Sequence, residues 1–385
     1  MPGFCYGLAM LDTDPPLLDA VRRYAGDPGA RVLSWDRRGL GNGFADAMAG
    51  GDGLILHSGT IRTTGGEREF QLVEKICRVL PPGREPGSWL YWKREAQAYG
   101  SGYLGANLSG IRAPDCYGVT YTDDPAARVF IEAIPDPQPD WTLTTHARAA
   151  EALGMFSAGA MGMPDIEHHD WMAVGRAHSW TAVAADLLNT LADHGSDPIL
   201  SRWLAGSHLA RTADLWRNIG LLRDACAGLA KCFCHHDAFK RNLLFSRNGE
   251  VGPEIVAIDW AFAGHGVVGE ELAATIGASL MFLEVGPDEA GEMIELAYSG
   301  YLNGLRRKGW TGATTDARLG FCATTAMTFA LGALGPWHPL LSDPDLSPVV
   351  SGIAGTAPDR FIDNLFEIHR HFLDLGEEAV MLAGG

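Results

Sequence analysis

An α+β chain is predicted, with a small antiparallel β-rich N-terminal lobe ahead of a larger, mainly helical lobe. Three observations predict it: short β-like runs between glycine-rich turns, a proline-dense break, and apolar residues at helical spacing through most of the chain beyond that break. The break is Pro135-Asp136-Pro137-Gln138-Pro139-Asp140, which suits neither helix nor strand and reads as a connector. The expected division is residues 1–134 for an N-terminal helix and the first lobe, 135–140 for a hinge or linker, and 141–385 for the second lobe.

The chain opens with Asp14-Pro15-Pro16, then Leu17, Leu18, Val21 and Tyr24, then Gly26. Those are the cap, early prolines and terminal glycine of a short helix. Residues 31–35, 53–61 and 70–78 read as strands, with turns at Gly39-Leu40-Gly41-Asn42-Gly43 and Gly65-Gly66. Residues 88–99 are richer in helix formers, and a strand over 127–134 comes after a turn at Asp123-Asp124-Pro125. Beyond the connector, helices are expected over 147–160, 180–192, 199–211 and 215–229. The helical texture breaks once, where Leu243-Leu244-Phe245 and Ile255-Val256-Ala257-Ile258 flank a turn holding Asn248-Gly249. Helices then resume.

Over 385 residues, 46% hydrophobic and 20% charged content is what a well-packed globular chain needs. The 30 Lys and Arg against 47 Asp and Glu leave a net charge of -17, which repels a polyphosphate backbone and argues against a nucleic-acid partner. Such a field suits a cationic substrate, but it equally suits an acidic surface that keeps a protein soluble. The seven cysteines (Cys5, Cys77, Cys116, Cys226, Cys232, Cys234 and Cys322) are odd in number and mostly set in apolar runs, as reduced core thiols are. Cys232 and Cys234 form a C-x-C with no second pair at zinc spacing. The N-terminus lacks a basic segment leading into an apolar one, and no stretch reaches eighteen apolar residues. The expectation is a cytoplasmic protein without a membrane partner, of unspecified oligomeric state.

The most specific segment is Cys234-His235-His236-Asp237-Ala238-Phe239-Lys240-Arg241-Asn242-Leu243-Leu244, a His-x-Asp with an Asn five residues past the Asp. A strand, a hairpin and a second aspartate, Asp259, come directly after it. This is the layout of a kinase catalytic loop with its metal-binding hairpin. An aspartate on such a loop can accept the proton of an attacking hydroxyl. The amide oxygen of Asn242 and the carboxylate of Asp259 across the hairpin are hard oxygen ligands suited to Mg2+. Taken singly, Asp237, Asn242 and Asp259 are also ordinary loop residues, and His235 reads as a structural support for the loop.

The segment resembles the catalytic loop of aminoglycoside phosphotransferases and choline kinases, with His236 where those families usually have glycine. Ile258-Asp259-Trp260-Ala261-Phe262-Ala263-Gly264 and Gly269-Glu270-Glu271-Leu272-Ala273 are similar to their metal-binding aspartate and the helix after it, which more commonly begins Asp-Leu-Ala. The resemblance covers about residues 30–285 and implies a protein-kinase-like two-lobed fold with ATP or GTP and Mg2+ in the cleft between the lobes. It also implies transfer of a phosphoryl group to a hydroxyl of a small molecule, whether antibiotic, sugar, amino alcohol or pathway intermediate. On it, Lys75 matches the lysine set against the α- and β-phosphates and Glu95 the helical glutamate that pairs with it. Glu132, in Val129-Phe130-Ile131-Glu132-Ala133-Ile134, falls at the hinge that reads adenine.

Weaker signals remain. Gly39, Gly41 and Gly43 could let a hairpin backbone approach phosphates, but their spacing misses the Gly-x-Gly-x-x-Gly order. Lys93 and Arg94 read as exposed helix charges, and Trp141, Trp171, Trp180 and Trp260 as core or cleft walls. His168-His169-Asp170 shows no third metal ligand. Two rival readings stand beside the kinase: a catalytically silent kinase-like binding protein, and a metal-dependent hydrolase built on His235, His236 and Asp237.

Overall fold

The computed structural model describes residues 14–40, 53–79, 85–105, 108–122, 126–135, 140–163, 169–194, 196–246 and 254–384. Gly41, Gly43, Cys5, His168, the turns at 123–125 and 248–249, and connector residues 136–139 lie outside them. The first lobe holds α1 (Pro15–Ala25), β1 (Arg31–Gly39), β2 (Leu54–Thr63), β3 (Gly66–Arg78), α2 (Arg94–Gly100), β4 (Cys116–Tyr121) and β5 (Ala126–Glu132). Its strands form one antiparallel sheet in the order β1-β2-β3-β5-β4. Strand β4 was not among those expected from the sequence.

The capping signals act as expected on α1. The Asp14 carboxylate accepts the Leu17 N–H at 3.4 Å, and Gly26 ends the helix at a left-handed φ of 64°. Leu17, Ala20 and Val21 pack on Ile61, Phe70, Leu72 and Phe130 of the sheet. Alternation along β3 then sends neighbours to opposite faces. Glu74, buried on the α1 side, accepts Arg128 Nε at 2.5 Å, while the same guanidinium forks to both oxygens of Asp14 at 2.8 and 2.7 Å. On its other oxygen Glu74 meets His57 Nε2 at 2.8 Å, and His57 Nδ1 accepts the Trp35 indole N–H at 3.1 Å. Indole nitrogen only donates, so Nδ1 carries the lone pair and Nε2–H donates to Glu74. Lys75, one residue on, belongs to the opposite, cleft-facing side.

The second lobe contains α3 (Leu143–Ala160), β6 (Ala173–Val174), α4 (Arg176–Asn189), α5 (Pro198–Trp203), α6 (His208–Arg217), α7 (Ile219–Ala227), β7 (Lys231–Cys234), β8 (Leu243–Ser246), β9 (Glu254–Ala257), β10 (Gly264–Val267), α8 (Glu270–Met281), α9 (Ala290–Arg307), α10 (Thr314–Thr325), α11 (Leu334–Ser342), α12 (Ser347–Ala354) and α13 (Pro358–Gly384). The helical texture is broken twice, not once, because a sheet of order β6-β10-β7 accompanies the β8–β9 hairpin. Strands of two to four residues are too short for periodicity to reveal them. The helix expected over 199–211 is likewise split, by Gly206 at φ 63°.

Two long helices, α3 and α9, form the backbone of this lobe, and they touch main chain to main chain. A Cβ on Gly154 would lie 2.0 Å from the Tyr301 carbonyl oxygen, and one on Gly304 would lie 1.9 Å from that of Glu151. The segment Thr314–Ser342 is long and apolar enough to cross a bilayer, but 83% of its most apolar window is buried inside the protein, as suits a core helix. Of the described cysteines, Cys226, Cys232, Cys234 and Cys322 are buried, Cys77 is half-buried and Cys116 is exposed.

This packing carries two expectations. Gly304→Ala, which in an open helix gains about 0.5–1 kcal/mol, here drives a methyl group into backbone. The midpoint of urea unfolding should therefore fall, and a raised midpoint would contradict the close approach. Burial pushes the Glu74 carboxyl up, but His57 and Arg128 outweigh it and hold it below the ordinary range. Its contribution is thus present above the unfolded glutamate pKa and lost as pH falls through the lowered folded value. Glu74→Gln should destabilise most at neutral pH and leave a shallower acid limb in thermal unfolding.

Candidate active site

Three elements bring Lys75, Glu95 and Asp259 together. Lys75 Nζ, from β3, lies 2.5 Å from Glu95 Oε2 on α2 and donates to Asp259 Oδ1, just past β9, at 2.7 Å. The other Glu95 oxygen accepts the Trp260 N–H at 3.2 Å, so one carboxylate grips both the lysine and the backbone beside Asp259. Burial alone would lower the Lys75 pKa, but the Asp259 and Glu95 charges outweigh it and hold the ammonium above its ordinary value. Burial would raise Asp259, and Lys75 keeps it below the usual carboxylate range. Asp259 sits at a left-handed φ of 63° with a side chain 40% exposed, whereas Glu95 is 2% exposed. A non-glycine residue in that region is held by its surroundings.

Asp237 lies on the loop between β7 and β8. Its Oδ1 takes Arg176 Nη1 at 2.5 Å and its Oδ2 takes Asn242 Nδ2 at 2.8 Å. Carboxylate oxygens only accept when ionised, so the Asn242 amide must turn its nitrogen to Asp237. That leaves Asn242 Oδ1 facing away from this contact, an oxygen of the kind a hard cation takes. Burial pushes the Asp237 carboxyl up to about 6, with the negative charge of Asp259 adding to it and Arg176 pulling against it.

The loop is braced from behind. His235 Nε2 meets the Ile258 carbonyl at 2.9 Å and Nδ1 accepts the Asp237 N–H at 3.2 Å. These two bonds select the neutral Nε2–H tautomer, and burial depresses the imidazole to about 4. With both ring nitrogens used, His235 is a tie between the loop and the hairpin, not a transition-metal ligand. Among the described residues, no cluster of three or more His, Cys, Asp or Glu side chains is arranged to hold a metal. Glu271, at the start of α8, accepts the His235 N–H at 2.8 Å, and Thr275 donates to the Ala238 carbonyl at 2.6 Å. His236 stands at φ 63°, a left-handed conformation that explains why glycine suits this position.

Other charged residues take parts their sequence context concealed. Arg94 is fully buried, contrary to its expected exposure, and donates to five carbonyls: Trp171, Trp89, Ala261, Pro86 and Ser88. It fastens α2 to the segment carrying Asp259. Glu132 turns its carboxylate to Arg112, at 2.5 and 3.0 Å, and Arg112 also reaches Glu254 on β9 at 2.6 Å. The Glu132 side chain therefore ties the end of the first sheet to the hairpin, and its backbone N–H donates to the Asp115 carbonyl at 2.9 Å, which leaves the backbone carbonyl as its remaining group for a hinge contact. Trp171, Trp180 and Trp260 are core residues. Arg176 had no local signal, since its value lies in a carboxylate 61 positions away.

A family model described as the phosphotransferase enzyme family matches residues 116–309, just over half of the chain. The chain belongs to this family. Solved structures similar to this phosphotransferase include a choline/ethanolamine kinase family protein from Mesorhizobium loti, at 15% identity over 96% of this chain and 99% of that one, TM-score 0.49. An amicoumacin kinase in complex with AMP-PNP, Ca2+ and Ami matches at 11% identity over 92% and 96%, TM-score 0.48. A type VIII aminoglycoside-3'-phosphotransferase matches at 20% identity over 82% and 100%, TM-score 0.43. No curated protein matches the sequence. The phosphotransferase has the kinase-like arrangement its sequence suggested, an antiparallel β lobe joined to a helical one.

Replacing Lys75 by Met strands Glu95, and breaking a buried pair from one side should cost about 3 kcal/mol at neutral pH. In that variant burial keeps the Glu95 carboxyl raised, so its protonated form relieves the fold at low pH and the relief is lost as pH rises. The deficit against wild type should widen from about pH 5 to pH 8, and adding Glu95→Gln should recover part of it. Equal deficits at both pH values would show that the pair is not the source.

Proposed function

We propose that this phosphotransferase is an ATP- and Mg2+-dependent kinase that moves the γ-phosphoryl group to a hydroxyl of a small molecule. The observation that carries the proposal is the Lys75 ammonium fixed between Glu95 and Asp259, with Asp237 and Asn242 on the adjoining loop. Lys75 would bind the α- and β-phosphates, and GTP would meet the same groups. Asn242 and Asp259 would hold Mg2+, which supplies neutralisation of phosphate charge; this ion typically uses one or two protein ligands and fills the rest with phosphate and water. Asp237 would orient the acceptor hydroxyl and take its proton as the oxygen attacks phosphorus. The new O–P bond forms, the bond to the β,γ-bridging oxygen breaks, and ADP carries that electron pair away. Arg176 and Asn242, bound to separate oxygens of Asp237, keep its carboxylate plane aimed.

On this reading residues 1–134 form the nucleotide lobe, with Gly41 and Gly43 offered to phosphates and the Glu132 backbone to adenine. Residues 135–140 are the hinge, and 141–385 carry the acceptor site. Most of the acidic excess falls in the second lobe, a field that would draw a cationic acceptor and repel nucleic acid. Cys232 and Cys234, with sulfurs 3.6 Å apart and not joined in a disulfide, suit a reducing cytoplasm.

The test measures ATP consumption and mass gain across hydroxylated small molecules, aminoglycosides included, together with nucleotide titration. Asp237→Asn should lose turnover by roughly 10²- to 10⁴-fold and still bind Mg2+-ATP. Asp259→Asn should also lose the Mg2+-dependent part of nucleotide affinity. Turnover should rise with pH through an acid limb at or below about 6, as Asp237 ionises and bound Mg2+ favours its charged form. Full turnover by Asp237→Asn would remove the base from the mechanism.

A further inference from the structure

Behind the loop that bears Asp237, three buried polar atoms have no hydrogen-bond partner among the described residues: Arg176 Nε, His236 Nδ1 and Glu270 Oε1. All three residues line one small cavity, closed by Ala273, Ala274 and Thr328. The protonation pattern there is set by the neighbours. His236 Nε2 faces the His265 carbonyl at 3.3 Å, and a carbonyl only accepts, so Nε2 carries the hydrogen. Burial keeps the ring neutral, lowering it to about 3, which makes Nδ1 a lone pair. That lone pair faces Glu270 Oε1, an acceptor when the carboxyl is ionised, across 3.6 Å, too far for a direct hydrogen bond. Arg176 Nε–H adds one donor.

We infer that this cavity is a built site for a single water molecule, through which His236 and Glu270 act as positioning residues for Arg176, the cation that holds the Asp237 carboxylate. Arg176 Nε–H, His236 Nδ1 and Glu270 Oε1 give one donor and two acceptors, which match a water that accepts once and donates twice; three bonds are typical of a buried water, and the Thr328 hydroxyl on the wall can rotate to either role. A cation in the cavity would meet the Arg176 N–H, and an anion would meet two acceptors. The walls support the assignment. Arg176 lies against three rings, Trp180 at 4.4 Å, Phe262 at 5.4 Å and Phe329 at 5.8 Å, so apolar groups crowd the guanidinium and polar contacts must come through its N–H edge. Thr328 and Phe329 belong to a π-helical stretch, Ala326–Gly332, of the kind that gathers at functional sites. Gly266 leaves the pair its space, since a Cβ there would come within 2.7 Å of Glu270 Oε2 and 2.9 Å of His236 Cε1.

The water site stands on this packing, while its effect on turnover rests on the role proposed for Asp237, and the experiment separates the two. A crystal structure of the full chain, at a resolution that shows ordered water, should place one water within hydrogen-bond distance of all three atoms. An empty cavity, or a protonated Glu270 closed directly onto His236 Nδ1, overturns the inference. In solution, the Arg176 Nε–H resonance, assigned by its loss in Arg176→Lys, reports the same contact without any acceptor. His236→Gly accepts the positive φ but supplies no acceptor, so the Nε–H should exchange with solvent about five- to tenfold faster, the equivalent of one hydrogen bond. His236→Asn tolerates the same φ and restores a side-chain acceptor, so it should recover part of the protection. Exchange unchanged in both variants overturns the positioning role even if the enzyme is active. If wild type shows the water and the protected Nε–H yet transfers no phosphate, it is the kinase reading that fails.

Discussion

One ammonium group organises the molecule. Lys75 comes from the first sheet, Glu95 from the short helix beside it, and Asp259 from beyond the hairpin of the second lobe, so a single cation ties three elements that share no local sequence. The two carboxylates are not equivalent. Glu95 is enclosed and also holds the Trp260 N–H, whereas the Asp259 side chain is 40% exposed. Such a pair gains from the low dielectric around it only because both sides are satisfied. Arg94 secures the arrangement, since its buried guanidinium collects carbonyls from the three segments that converge there.

The loop that bears Asp237 is supported in the same manner, by charge placed under backbone. Glu271 receives the loop amides, His235 joins the loop to the strand before Asp259, and Thr275 secures the Ala238 carbonyl. Burial pushes Glu270 and Glu271 up to about 7 and Asp237 to about 6, so this region holds ionisable groups at a cost that grows as they lose protons near neutral pH. His236 and Asp259, both at left-handed φ, add strain. Concentrating strain and buried charge at one place is how folds trade stability for a preorganised site.

The lobes are joined by paired charges as well as by the connector. Arg112 spans Glu132 at the end of the first sheet and Glu254 on the hairpin, while its own backbone bonds with Ile255 and Ala257. Trp180, Phe262 and Phe329 lie against Arg176, whose cation stands against the Asp237 carboxylate inside an otherwise acidic lobe.

By itself the sequence determined the order of the lobes, the capped first helix, the strand bearing Lys75, and the spacing that puts Asp237 and Asn242 on one loop with Asp259 past a hairpin. Those features depend on periodicity, capping and covalent distance, which act over a few residues. Only the tertiary structure decided that Arg94 is buried, that Arg176 holds Asp237, and that Glu132 answers to Arg112. It also supplied the two- to four-residue strands that carry no period of their own. The reason is physical: an ionic side chain carries a sign but no address, and its partner is set by which strands and helices meet. In this chain those partners lie 61 residues apart for Arg176 and Asp237, 142 for Arg112 and Glu254, and 184 for Lys75 and Asp259.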